Sequence, residues 1–170
     1  AQAQHALASG GFSTQQILDS LKGTLQLAEA GQVELARAAQ IAVGTLNGFG
    51  LKAKEITRVN DILLRATDLT ATSVDGFGET MKYVAPIAKA YGASIEETSA
   101  MIGLLGNNNI LDSQAGTSLR GIMTRFAAPP TEAAKVMKKL NLKFKDSKGN
   151  LKDMSDIFNE INLKTKNLGE

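Results

Sequence analysis

The sequence has no cysteine, no tryptophan, one histidine and three prolines in 170 residues. Without cysteine the chain can form neither disulfides nor thiolate nucleophiles nor cysteine-ligated metal sites. His5 is its only imidazole, which argues against a histidine metal cluster or a His-dependent nucleophile, and we expect His5 to be an exposed residue. No apolar run reaches the roughly 20 residues needed to span a bilayer, and the first nine residues lack the pattern of a signal peptide.

Aliphatic and small side chains dominate the composition. Hydrophobic residues make up 43% of the chain and aromatic residues only 5%, while glycine occurs 16 times. This composition is too apolar for a disordered tail and favours helices that pack closely through aliphatic and small side chains. We therefore expect a folded chain built mainly of helices.

Charge and proline divide the chain into two parts. Residues 1–134 contain ten basic and twelve acidic side chains, whereas residues 135–170 contain nine and five. Pro129-Pro130, close to this boundary, interrupts any continuous helix. We predict a helical-hairpin body in residues 1–128 and a small helix, β-hairpin and helix element in residues 129–170, packed on the body. Because the sequence does not begin with methionine, we also expect a segment of a much longer protein.

Apolar residues in the body recur at helical spacing, interrupted by short stretches of Gly, Asn or Ser. Pro86 should kink or split its helix, because proline cannot donate a backbone hydrogen bond to Lys82. Ser94 and Glu97 match a capping box, in which each side chain accepts from an amide of the opening turn. The predicted helices cover about residues 14–28, 33–46, 54–69, 75–91, 95–105 and 113–126.

The predicted fold class is mainly α: a bundle of stacked helical hairpins with a small C-terminal β-hairpin and a terminal helix. A weak internal repeat favours stacking, since Phe49-Gly50 and Tyr91-Gly92 each precede a new helix at an offset of 42 residues. Simple reuse of glycine after an aromatic residue at helix ends explains the pattern about equally well. The predicted core comprises Ile17, Leu21, Leu25, Val43, Ile62, Leu63, Val84, Ile102, Leu105, Leu119 and Ile122.

The C-terminal element has its own pattern. A short helix capped by Thr131 leads into Leu142–Lys145, where apolar and basic residues alternate as in a β-strand. Asp146–Asn150 contains the glycine of a hairpin turn, and Leu151-Lys152 would return as the partner strand. Ser155 is predicted to cap the final helix.

None of the candidate chemical motifs predicts a catalytic, cofactor-binding or metal-binding residue. Glu96 and Glu97 are adjacent at a helix start, where capping explains them better than acid and base catalysis across a cleft. Gly48–Gly50 and Gly76–Gly78 follow no predicted strand and lack the residues of a phosphate or dinucleotide loop. Close helix packing is the better explanation for the glycine spacings, which include Gly44, Gly48, Gly103 and Gly106.

Seven lysines between Lys135 and Lys152 form a basic region with Phe144 among them. Asp146 and Asp153 dilute it, and no recognised nucleic-acid motif accompanies it. A solvated face is favoured over a nucleic-acid surface, and any contact with nucleic acid would be nonspecific and strongly salt-dependent.

Several residue strings follow one another in a fixed order along the chain: Ala8–Ser13 leading into Ile17-Leu18, then Met81–Ala88, Ile95–Thr98, Ile102–Gly106 and Ser113–Arg120. Together they resemble the core region of the tail tape measure proteins of long-tailed bacteriophages and prophages. The similarity covers nearly all of the chain, and Leu140–Leu142, Asp146–Asn150 and Asp153–Ile157 look like the strand, turn and helix of that family. One departure is Asn107–Ile110, where related sequences tend to have a small glycine-containing turn.

The resemblance implies a structural virion protein without catalytic residues in this segment. The parent would be a long helical polypeptide around which the tail tube polymerises, so that its length sets that of the tail, and it would be released during genome delivery. The implied partners are other copies of the chain, tail-tube, tail-tip and tail-assembly chaperone proteins, and the host envelope during infection. The implied locations are the tail lumen of the virion and, during assembly, the bacterial cytoplasm.

Two other classes remain open at the level of the sequence. The first is a non-catalytic region of a tail-associated cell-wall-degrading protein, because members of the family sometimes carry peptidoglycan-cleaving or peptidase domains. The second is a basic helical module that binds DNA. If the domain must enter a narrow tube, we expect its hairpins to open at Gly48–Gly50, Tyr91-Gly92 and Asn107–Asn109.

Overall fold

The computed structural model describes residues 1–166, which form nine α-helices and one short 3-10 helix. The α-helices are α1 (Gln2–Ser9), α2 (Thr14–Gly31), α3 (Leu35–Phe49), α4 (Ile56–Asp68), α5 (Val74–Ala90), α6 (Ile95–Asn107), α7 (Asp112–Ala127), α8 (Thr131–Lys139) and α9 (Met154–Thr165). The 3-10 turn Ala53–Glu55 precedes α4. The mainly helical class is confirmed, and six of the helices match the six predicted in the body.

The helices of the body stack in two layers. In one layer α1, α3, α5 and α7 pack side by side in that order, and in the other α2, α4 and α6 do the same. Helices that follow each other in the chain cross from one layer to the other. Each hairpin therefore buries its inner face against its neighbours, as in other arrays of stacked helical units.

Three helices of the body begin with serine caps. The Ser13 hydroxyl accepts the Gln16 amide at the start of α2 while the Gln16 side chain accepts the Ser13 amide, which completes a capping box. Ser73 caps α5, and Ser94 caps α6 by accepting the Glu97 amide at 3.1 Å. These caps satisfy backbone donors that a helix start otherwise leaves free.

Residues with a positive φ follow α3, α5 and α6, in turns that the sequence analysis had identified. Gly50 and Gly92 have φ of 63° and 85°, and the residue after each donates its amide to a carbonyl five residues back. This is the Schellman pattern, which requires a positive φ. Asn109 takes the same role after α6 with φ of 60°, so asparagine replaces the expected glycine without changing the turn.

Five of the eleven predicted core residues are buried. Val43, Leu63, Val84, Ile102 and Leu119 are buried as predicted. The remaining predicted core residues Ile17, Leu21, Ile62, Leu105 and Ile122 are only partly buried. Leu25 was wrongly assigned to the core: it is 45% exposed, because α2 has a neighbour in its layer on one flank only.

Three features of the sequence behave differently from expectation. Helix α1 was not predicted, yet Leu7 on it is fully buried and the helix packs on α3.

Helix α5 is not split by Pro86 and runs on to Ala90. Both Pro86 and Lys82 are exposed, so water can satisfy the carbonyl that the proline leaves free. Thr131 and Ser155 are not caps, because each lies inside its helix.

The predicted β-hairpin is wrong. Within the described residues its strands are reduced to one antiparallel bridge between Lys145 and Leu151. The backbone donors of a longer ladder are used elsewhere: the Leu142 amide donates to Met137, the Lys143 amide to Glu160 and the Leu151 amide to Tyr91. The segment is therefore a loop that connects α8, α9 and the body. Residues 167–170 of the predicted C-terminal element lie outside the described residues.

Candidate interaction surfaces

Arginine bridges join neighbouring helices within each layer. Arg37 on α3 contacts Asp75 at 2.5 Å and Glu79 at 2.6 Å on α5, which holds its pKa above the usual value, chiefly through the hydrogen bond to Asp75. Arg58 on α4 contacts Glu96 on α6 at 2.6 Å. Exposed pairs of this kind contribute little stability each, about 0.2 to 1 kcal/mol. The partners in these bridges are 38 or 42 positions apart in the sequence, which is the spacing between helices that are neighbours in one layer.

Glycines allow the closest approaches between helices. Gly76 and Gly78 lie inside α5, not in a loop, and an added Cβ would sit 2.5 Å from Asp112 on one flank and 2.6 Å from Ile41 on the other. Gly48, Gly103 and Gly106 are similarly close to Ala85, Thr70 and Thr72, whereas Gly44 has nothing within 4 Å. Gly48, Gly76 and Gly78 therefore serve packing between helices. Gly103 and Gly106 instead let α6 approach the loop between α4 and α5, because Thr70 and Thr72 lie in that loop.

The adjacent carboxylates Glu96 and Glu97 point to different elements. Glu96 binds Arg58, and Glu97 accepts a 2.7 Å hydrogen bond from the amide of Met154, the first residue of α9, instead of closing the predicted capping box at Ser94. Burial raises the pKa of Glu97, the Met154 amide opposes that rise, and nearby Asp153 adds to it. The two side chains hold helices together and do not face each other across a cleft.

Glu160 on α9 is the polar centre of the C-terminal element. Its carboxylate accepts from the Lys143 amide and from Lys152 at 3.0 Å each, and it also contacts Lys164 at 3.3 Å. The hydrogen bond from Lys152, followed by that from the Lys143 amide, lowers the pKa of Glu160 to about 2. These contacts hold the 142–152 loop against α9, and no local pattern in the sequence predicts them.

Replacement of Glu160 by glutamine should destabilise the chain at neutral pH and have less effect in acid. The folded-state pKa lies below the usual 4.5, so the stabilisation is fully present above that value and is lost as pH falls toward about 2. Thermal melts followed by circular dichroism between about pH 6.5 and 3 test this. Glu29→Gln, at an exposed position of α2, is the control. A difference between Glu160→Gln and the original chain that does not change with pH would contradict the assignment.

The remaining sequence candidates lie on the surface. His5 is exposed on α1 at the edge of an open groove between α1 and α3. Six of the seven lysines between 135 and 152 are exposed, while Lys152 is partly buried against Glu160. Within residues 1–166 no three His, Cys, Asp or Glu side chains are grouped to hold a metal ion. No helix in that part of the chain is both long and apolar enough to cross a bilayer.

The residue strings of the sequence and the stacked helices both fit a structural protein of phage tails. The chain belongs to the phage-related minor tail protein family, whose model matches residues 1–170. It is 36% identical over 168 residues to the tape measure protein of Pneumococcus phage Dp-1, a match that covers 99% of this chain. It is 34% identical over 159 residues to the probable tape measure protein of Escherichia phage P2, which covers 94% of it.

The matched region is a small part of these relatives. The chain spans 15% of the length of the Dp-1 protein and 20% of the length of the P2 protein. No solved structure matches the chain. The resemblance to tail tape measure proteins inferred from the residue strings is thus confirmed by similarity over nearly the whole chain.

Proposed function

We propose that this chain is a structural module of a tail tape measure protein. The parent protein sets the length of the tail, is the scaffold on which the tail tube polymerises, and leaves the particle during genome delivery. The observation that carries the proposal is the similarity to two tape measure proteins across at least 94% of the chain. The compact stack of helices contributes a folded unit at one position along a much longer polypeptide.

The module itself has no catalytic activity in this proposal. Its two adjacent carboxylates are engaged by Arg58 and by the Met154 amide, and its histidine is an isolated surface residue. Peptidoglycan turnover by the purified chain, lost in Glu97→Gln, would instead favour a cell-wall-degrading protein.

The proposed partners are other copies of the chain, tail-tube, tail-tip and chaperone proteins, and the host envelope. The proposed locations are the tail lumen and the host cytoplasm during assembly.

Electron microscopy of tails tests the proposal in a phage that encodes the full-length protein. Inserting about 60 helix-forming residues outside this module should lengthen the tail by about 90 Å, at 1.5 Å per residue. In-frame deletion of the module should abolish normal tails, and supplying the intact protein from a plasmid should restore them. Unchanged tail length after the insertion would contradict the ruler, and normal infectious tails after the deletion would contradict a structural need for the module.

A further inference from the structure

An open apolar groove lies where α7 ends and α8 begins. Two adjoining cavities of about 350 and 380 Å³ share Pro129, Met137 and Lys143 among their lining residues. Phe126 and Phe144 form the floor of the groove, and their rings pack on each other with centroids 4.8 Å apart. No residue of α8 is fully buried, so this helix forms a wall that is still largely open to solvent.

Three exposed lysines line this groove. Lys138, Lys143 and Lys145 line it and are exposed, and none of the three has an ion pair within residues 1–166. The neighbouring acidic groups are already used. Glu160 binds Lys152 and Lys164, and Asp146 accepts the amides of its own turn. The groove therefore has an apolar floor and a positively charged rim.

This combination fits an acidic amphipathic segment better than a nucleic acid. An amphipathic helix can insert apolar side chains into the floor and set its carboxylates against the lysines. Single-stranded nucleic acid needs exposed aromatic faces on which bases stack. Phe144 is only 5% exposed, and its ring is occupied by Phe126.

We propose that the groove formed by Phe126, Pro129, Met137 and Phe144 binds an acidic amphipathic protein segment through its apolar face, with Lys138, Lys143 and Lys145 contacting the carboxylates. The partly buried Phe126, Pro129 and Met137 provide the apolar contacts, and the lysines of the rim select acidic partners and accelerate their association. The site lies at the C-terminal end of α7 and on the segment that follows it.

Fluorescence anisotropy with a labelled synthetic peptide tests this proposal. The probe is a helical peptide of about 18 residues with leucines on one face and glutamates elsewhere. The comparison probes are a shuffled peptide of the same composition and a single-stranded DNA of about 20 nucleotides. The protein is the full 170-residue chain, studied at low and at high salt.

The double variant Lys138→Glu/Lys143→Glu should weaken binding of the leucine-glutamate peptide at least about tenfold, because it reverses the charge of the rim. Lys22→Glu/Lys54→Glu makes the same change in net charge on the body and should alter binding less than about twofold. The shuffled peptide should bind at least about fivefold more weakly than the amphipathic one. Equal binding by both double variants, or equal binding of the shuffled peptide, would overturn the proposal, and tighter binding of DNA would replace it by a nucleic-acid surface.

Discussion

Replacing Phe77 by alanine is expected to lower the free energy of unfolding by about 3 to 5 kcal/mol. Phe77 lies in the first turn of α5, the helix with α3 on one flank and α7 on the other, and its side chain is fully buried. The glycines on either side of it bring those flanking helices close. The cavity left by the ring cannot easily collapse in such a rigid setting, so the loss should fall at the high end for a core aromatic residue.

Phe158→Ala is the matched control, because it removes the same ring from α9, where that ring is 52% exposed and touches Phe126 only at its edge. We expect it to cost about 1 kcal/mol. Denaturant melts of both variants give the comparison. Equal losses for the two positions would show that α5 is not the centre of the core.

The second large effect is expected at Gly116 on α7. A Cβ at this position would lie 2.8 Å from the backbone oxygen of Thr80 and 2.9 Å from the Cβ of Tyr83, both on α5. Neither atom is the end of a flexible side chain, so α5 and α7 would have to move apart. Gly116→Ala should therefore destabilise the chain by about 1 to 3 kcal/mol, although alanine is the better helix former.

Gly121→Ala provides the control on the same helix. No atom lies within 4 Å of a Cβ added at Gly121. Here the helix propensity of alanine acts alone and should stabilise the chain by about 0.5 to 1 kcal/mol. The two substitutions should thus shift the denaturation midpoint in opposite directions. A stabilising effect of Gly116→Ala would mean that α5 and α7 are not in close contact.

The helices of the body could be predicted because their signals are local. Periodic apolar residues marked α2 through α7, and Gly50 and Gly92 lie in the turns that follow α3 and α5. The helix ends were less well predicted: α2 and α3 each extend three residues beyond the expected ends at Ala28 and Leu46. Periodicity does not say whether a neighbour covers a given face, and this is why Leu25 on the outer flank of α2 was misassigned. Helix α1 has only eight residues, and its stability comes from burying Leu7 against the stack.

The C-terminal element could not be predicted in the same way, because its structure depends on contacts with distant residues. Glu97 caps α9 from 57 residues away, and the Leu151 amide donates to Tyr91 on the body. Alternation in Leu142–Lys145 is typical of a strand, yet the Leu142 amide donates to the Met137 carbonyl of α8 and the Lys143 amide donates to Glu160. The sequence predicts a solvated surface for the lysines between Lys135 and Lys152. It cannot predict the apolar groove beside them, because the groove is lined by residues of α7, α8 and the loop after α8.

Small-angle X-ray scattering of the purified chain tests most directly the central claim, that residues 1–166 form one compact fold built on the two-layer stack. A folded unit of this size should have a radius of gyration of about 16 Å. One continuous helix would be about 255 Å long, with a radius of gyration of about 74 Å. A monomer near 16 Å is the result that the two-layer stack predicts, and a monomer above about 30 Å would contradict it.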